Sequence, residues 1–377
     1  MTDEEFAEFS KLDFNDKLRA ARADLDAGRF EAAAGGFLDL THMAGALSFP
    51  DESQKDLVLA NAQQLLIRSW QGLRRYDQAA QSQRLRIGYL EARKEATPPL
   101  ALSAEYQSLG ALLTQAERFE EATAAYQRSI ELLHGHEGAE DVAQVLGELG
   151  KSLDRAAQYD RALETFQQAM DTYRQAGRPA GVAQQLQRMG AIELRRLNNV
   201  PRAEESFREA LRIYQDAGQG ADAVETSMDV GLCRRSLGDF DGADKLFTDA
   251  LQGAQGQNLP KSVARALTEL GNTAWLRGQY QQALELVGRS DDIAKGQGNP
   301  FQLNVNAQLR ALVYWELNQY DRALSALDDA MQAAALAEQP LEVASAYNNR
   351  GIVYRRQTKY DAGFHRPVNR ATAPGPG

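Results

Sequence analysis

LGKSLDRAAQYDRALETFQQAMDTY, residues 149–173, decides how the chain is read. It sets a glycine at Gly150, an aromatic nine residues later at Tyr159, and then Ala162, Phe166, Ala169 and Tyr173 at steps of four, three and four. That spacing puts four side chains on one stripe of a helix. The pattern returns along the chain. An aromatic followed three positions later by alanine occurs at Phe30, Tyr76, Phe119, Tyr159, Phe240, Tyr280 and Tyr320, while Tyr360 is followed at that offset by Gly363. Phe240, Tyr280, Tyr320 and Tyr360 are each 40 residues apart. Gly110, Gly150, Gly231, Gly271 and Gly351 lie nine residues before the aromatic, with Ala311 filling that slot once. Pro99, Pro179, Pro260, Pro300 and Pro340 lie eleven residues before Gly110, Gly190, Gly271, Ala311 and Gly351. A proline at this spacing marks a first helical turn, where its missing N–H costs nothing. Self-similarity at a fixed period of this length is the signature of a repeat array.

Each unit is therefore predicted to open a helix near the proline, turn tightly before the aromatic, and run a second helix with Ala and Phe on one face. Small residues let the two helices approach, and the aromatics fill the space between pairs. The helix penalty of the slot glycine, about 1 kcal/mol, is outweighed at such a crossing. The order Leu149-Gly150, Tyr159, Ala162, Phe166, Ala169 resembles the signature of the tetratricopeptide repeat family. The longer period is similar to the repeats of kinesin light chain, spindle-orientation adaptors and bacterial peptide-sensing regulators. The resemblance covers roughly residues 14–362. It implies an all-α, right-handed superhelical solenoid of antiparallel helix pairs, about eight full repeats and a broken ninth. Residues 1–13 read as a leader.

The departures carry expectations of their own. One extra residue lies between Gly190 and Ala203, with Val200 in the aromatic slot and Pro201 after it, so an altered turn is expected there. Gln83 stands where the unit of Tyr76 should carry its second aromatic, which predicts poorer packing or a changed facing. After the first helix of the last unit the chain reads Gly363-Phe364-His365-Arg366-Pro367 and ends Pro374-Gly375-Pro376-Gly377. Proline breaks a helix, so residues 363–377 read as an irregular, disordered tail left by a truncation or a frame change. Ile352, Val353 and Tyr354 are then expected to be partly uncovered, giving two copies an end surface through which to pair.

Composition narrows the function. The chain is 43% hydrophobic and 25% charged with a net charge of -10, a balance that argues against direct nucleic-acid binding because phosphates repel acidic surfaces. The single cysteine, Cys233, excludes an intrachain disulfide and favours a reducing cytoplasm. Met1-Thr2-Asp3-Glu4-Glu5 is acidic where a secretory signal is basic. No apolar run approaches the length needed to span a bilayer, so no membrane partner is expected. No G-x-x-x-x-G-K loop occurs. His134 and His136 beside Glu137, Glu140 and Asp141 read as a solvated loop rather than a metal site, since carboxylates on a loop lack fixed geometry. Cys233 reads as a buried thiol. Neither catalysis nor a cofactor is expected.

In tetratricopeptide proteins the first helix of each pair lines the concave surface, and the resemblance implies the same here. Residues three before, one after and four or five after the glycine slot share a stripe pointing away from the partner helix. That rule selects Gln107, Thr114 and Gln115, then Lys151 and Arg155, then Gln187 and Arg195. Beyond them it selects Arg235, Thr268, Asn272, Trp275, Gln308, Trp315, Asn348 and Arg355. Asn and Gln can bond a peptide backbone on both its donor and acceptor sides, and Arg can clamp a carboxylate. Trp275 and Trp315 share one slot and read as anchors. The expected partner is a protein, or an extended acidic peptide, held by a cytoplasmic adaptor or scaffold. A peptide-sensing regulatory receptor ranks second, because a register starting near Asp13 leaves no room for the effector domain such receptors carry. The sensor segment of a larger signalling protein or transcription regulator is the third reading.

Overall fold

Ala, Leu, Gln, Arg and Glu between regularly spaced breakers dictate helices of nearly uniform length, and helices of 17 residues dominate. The computed structural model describes residues 3–46, 52–93, 96–134 and 138–356. Among them are α1 (Asp3–Asp26), α2 (Phe30–Ala46), α3 (Glu52–Gly72), α4 (Tyr76–Ala92), α5 (Pro99–Gln115), α6 (Phe119–Leu133), α7 (Ala139–Arg155), α8 (Tyr159–Gln175) and α9 (Pro179–Arg195). There follow α10 (Val200–Asp216), α11 (Gly220–Ser236), α12 (Phe240–Gly256), α13 (Pro260–Leu276), α14 (Tyr280–Gly296), α15 (Pro300–Glu316), α16 (Tyr320–Leu336) and α17 (Pro340–Arg356). The described residues contain no strand. Odd-numbered helices open at the proline slot and even-numbered ones at the aromatic slot. Eight repeats and the first half of a ninth are accounted for, as the period required. Tyr360 and the expected tail over 363–377 lie outside the described residues. Most of the segment read as a leader is helical: α1 begins at Asp3, and Asp3–Phe14 holds neither proline nor glycine to stop it.

Each helix connection that is described throughout leaves one residue in the left-handed region. Gly28, Arg74, Glu117, Ala157, Asn198, Gly238, Gly278 and Asn318 lie two residues before an even-numbered helix. Gly177, Gly218, Asn258, Gly298 and Glu338 do so before an odd-numbered one. The following residue folds its N–H back onto the last turn, as Gln158 does to the Leu153 carbonyl at 2.9 Å and Gln279 to that of Ala274 at 2.8 Å. Glycine enters this conformation freely, whereas a side chain there costs on the order of 1–2 kcal/mol. Glu117 (φ 59) and Ala157 (φ 57) carry that cost. Glu117→Gly and Ala157→Gly are each expected to stabilise the protein by about 0.5–1 kcal/mol after the unfolded-state entropy of glycine is subtracted. Urea midpoints measure this, and a fall in either midpoint would refute it.

The turn before Val200 is altered as the spacing predicted. Four residues separate α9 from α10, against three between α7 and α8. Arg196 and Leu197 both donate to the Ile192 carbonyl, at 2.9 and 3.1 Å, and Asn199 caps α10 through its side-chain oxygen. The chain divides at this turn into two compact units, up to Asn198 and from Asn199 onward. Within each unit consecutive helices pack side by side, and α5 also meets α7, α11 meets α13, and α13 meets α15.

The core is built by exchanging volume across each crossing. A Cβ placed on Gly110 would lie 2.8 Å from the ring of Tyr126, and one on Gly150 would lie 2.5 Å from that of Phe166. In the second unit Gly231 meets Phe247 in the same way, at 2.6 Å. Where the facing residue shrinks to Val287, the contact at Gly271 relaxes to 3.0 Å; where it is Leu327, the slot holds Ala311. Where it is Gln83, the slot holds Ile67. At the far end Val353 does not fit the expectation of an uncovered surface. It is buried with Ala346, Ala323 and Leu327 because positions seven apart on α17 share the face toward α16, while Tyr354 is half-buried and Ile352 exposed.

Candidate functional site

The predicted stripe is present on the odd-numbered helices, but its members are not equally available. In the first unit Gln107 is half-buried, with its amide 3.4 Å from Ser103 Oγ. Thr114 is buried, its hydroxyl 2.8 Å from both the Gly110 carbonyl and Ser152 Oγ, so it joins α5 to α7. Lys151 pairs with Glu148, whose carboxyl is pushed above its usual range by burial and only partly drawn back by Arg188. Gln187 is half-buried and Gln115 exposed. Arg155 and Arg195 are exposed, and neither makes a hydrogen bond or ion pair among the described residues.

Two members of the stripe in the second unit are structural, contrary to expectation. Thr268 is only 2% exposed. Its hydroxyl lies 2.7 Å from Asn306 Oδ1 and accepts from Gln302 Nε2 at 2.8 Å, inside a buried polar cluster that includes Ser290 and Asp291. The position three before the slot faces α14 and α15 here, not solvent. Arg235 is spent on the neighbouring repeat: it pairs with Glu269 at 2.8 Å, donates to the Glu269 carbonyl at 3.1 Å, and lies over the Phe247 ring. The same interface holds Arg265 between Glu225 and Asp229. Burial works to lower the pKa of that guanidinium, but the two carboxylates more than offset it and hold it above its ordinary value.

Gln308 donates to Asn304 and to Glu342, tying α15 to α17. Trp275 is half-buried against Ala274, Ala283, Val287 and Leu309. Trp315 is half-buried against Ala311 and Leu327, with Arg356 5.1 Å over its ring and its indole nitrogen buried without an acceptor among the described residues. Asn272 is half-buried, and Asn348 and Arg355 are exposed.

Sequence reasoning missed a larger feature. The offset rule, applied at Ile67, selects Gln64, Arg68 and Gln71. All three line a cavity of about 610 Å³ between α3, α4 and α5, with Ser108, Ala111 and Gln115 on the opposite wall. The available signal was Gln83 in an aromatic slot. Far from packing loosely, Gln83 is buried and donates to the Glu105 carbonyl at 3.0 Å and its carboxylate at 2.7 Å. Arg86 grips the same carboxylate with two bonds of 2.9 Å and reaches the Ala60 carbonyl at 2.7 Å.

Other chemistry finds no geometry. Cys233 is fully buried, and its pKa is pushed up to about 12, first by burial and then by Glu204 and Asp229, so its thiolate is scarce at neutral pH. No group of three or more His, Cys, Asp or Glu is placed to hold a metal among the described residues. Glu140 accepts instead from Arg178 at 2.8 Å, while His136 and Glu137 lie outside the described residues. No helix among the described residues is long and apolar enough to cross a membrane.

Helices paired at a 40-residue period, with small residues facing aromatics at several crossings and a polar stripe on the first helix of the pairs, define a tetratricopeptide-like, all-α helical-repeat fold. The family model for soluble NSF attachment protein, SNAP, matches residues 104–267. No curated protein matches the sequence. Among solved structures it is similar to aspartyl phosphate phosphatase F from Bacillus subtilis, at 14% identity over 93% of this chain and 91% of that one, with a TM-score of 0.60. The apo form of the quorum sensor NprR from B. thuringiensis aligns at 13% identity over 94% of this chain and 96% of that one, with a TM-score of 0.55. BtubC from P. vanneervenii aligns at 20% identity over 59% of this chain and 92% of that one, with a TM-score of 0.51. At such identities the likeness is one of fold.

Proposed function

We propose that the chain is a protein-interaction scaffold of the cytoplasm whose odd-numbered helices present their polar stripe to an extended, acidic segment of a partner. The observation that carries this reading is the pair Arg155 and Arg195, which stand 40 residues apart at one repeat position, exposed and in no ion pair among the described residues. In a chain with a net charge of -10, two guanidinium groups left free at matching positions suit a carboxylate-bearing guest. Half-buried Asn272 with exposed Asn348 and Arg355 offers the second unit a comparable, less charged face.

The charge-reversed variant Arg155→Glu/Arg195→Glu is expected to lose at least tenfold of the partner captured from native lysate, with helicity unchanged by circular dichroism. Undiminished capture would remove the reading. Arg235 stays out of the test because its loss would strike the α11–α13 interface. A peptide-sensing receptor is the second reading, supported by the likeness over 94% of this chain to a protein described as a quorum sensor. A receptor becomes more compact in scattering when its peptide binds, whereas a rigid scaffold does not.

A further inference from the structure

In the first unit the crossing of α5 with α6 and that of α7 with α8 each set glycine against an aromatic: Gly110 against Tyr126, and Gly150 against Phe166. The crossing of α3 with α4 has neither, and the space a ring would fill is open. We propose that the resulting cavity between α3, α4 and α5 is a binding site for a short peptide segment bearing a carboxylate side chain, with Arg68 as the residue that holds the carboxylate. The proposal rests on the partner reading above and assigns it a second site, on helices other than those of Arg155 and Arg195.

Charge decides the ligand class. Glu105, the one carboxylate lining the cavity, is consumed by the fork of Arg86 and by Gln83, so it neither repels an incoming anion nor competes for Arg68. Arg68 is exposed and makes no ion pair among the described residues. Gln64 and Gln71 lie one turn to either side of it on α3, and Gln115 faces them from α5. Each of these exposed amides offers both donors and an acceptor, the pairing that a peptide main chain needs. Ile67, Ala111 and Leu112 supply an apolar floor, and the volume of about 610 Å³ falls within the range of about 300–1,000 Å³ typical of ligand pockets.

The test is selection of phage-displayed random heptapeptides on the full chain, followed by titration of the enriched peptide in synthetic form. The enriched sequences are expected to share an aspartate or glutamate at one position. Affinity should fall at least tenfold for Arg68→Ala, and at least tenfold when that acidic residue is replaced by its amide. Arg68→Ala removes an exposed side chain, so its melting curve should match that of the parent. Ile67→Gly/Gln83→Phe restores the pair found at the neighbouring crossings, fills the cavity, and should abolish binding while leaving Arg68 in place. An enriched peptide without an acidic residue, one that binds Arg68→Ala as well as the parent, or no enrichment at all would each overturn the assignment. Peptides that respond to Arg155→Glu/Arg195→Glu but not to Arg68→Ala would remove this site and leave the scaffold reading standing. Lysate capture decides that reading independently.

Discussion

Arg310→Leu is expected to destabilise the second unit by about 3–5 kcal/mol, the loss typical when one partner of a buried ion pair is removed. Asp291 is 7% exposed; it accepts from Asn306 at 2.9 Å and is ion-paired with Arg310, which also reaches Asp329 at 3.3 Å. Without the guanidinium, a carboxylate remains in the α13–α15 core with only a neutral amide to face it. Its desolvation is no longer offset. Adding Asp291→Asn to the same chain replaces the stranded charge with a neutral group that can still accept from Asn306. The double variant should therefore regain most of the loss. Urea denaturation of the four proteins closes the cycle, and a single-variant loss under about 1 kcal/mol would show that the pair contributes nothing net.

Gly150→Ala is expected to cost about 2 kcal/mol, against the usual rule that alanine improves a helix over glycine by about 1 kcal/mol. The added methyl would sit 2.5 Å from Phe166 Cε1 and 2.7 Å from Cδ1, and the ring is 1% exposed, with little room to retreat. Overpacking of this kind costs roughly 1–3 kcal/mol and here outweighs the propensity gain. Phe166→Leu alone should also destabilise, by leaving a cavity. Together the two changes reproduce the pair that already stands at Ala311 and Leu327, so the double variant should be more stable than the sum of the singles by about 1–3 kcal/mol. Additive losses in thermal or urea unfolding would contradict the exchange of volume inferred for these crossings.

Part of the proposed binding face was legible without coordinates. The offset from the glycine slot located Arg155 and Arg195 on an exposed stripe; it was not carried to Ile67, where it selects three of the residues that line the α3–α5 cavity. It misjudged Thr268 and Arg235. Both occupy stripe positions, but Asn306 and Glu269, which engage them, lie 38 and 34 residues away, on the next repeat. No local spacing reports which side chain a neighbouring repeat will set opposite.

What the sequence determined alone was the alternation of helix and turn. Period, proline, glycine and aromatic act within one helix or across one turn, and a local steric preference repeated every 40 residues needs no distant information to be read. Only tertiary structure decided which polar groups are free and which are spent. A buried charge must find its counterpart wherever the chain brings one, and whether the space beside Gln83 is filled or open depends on three helices meeting at once.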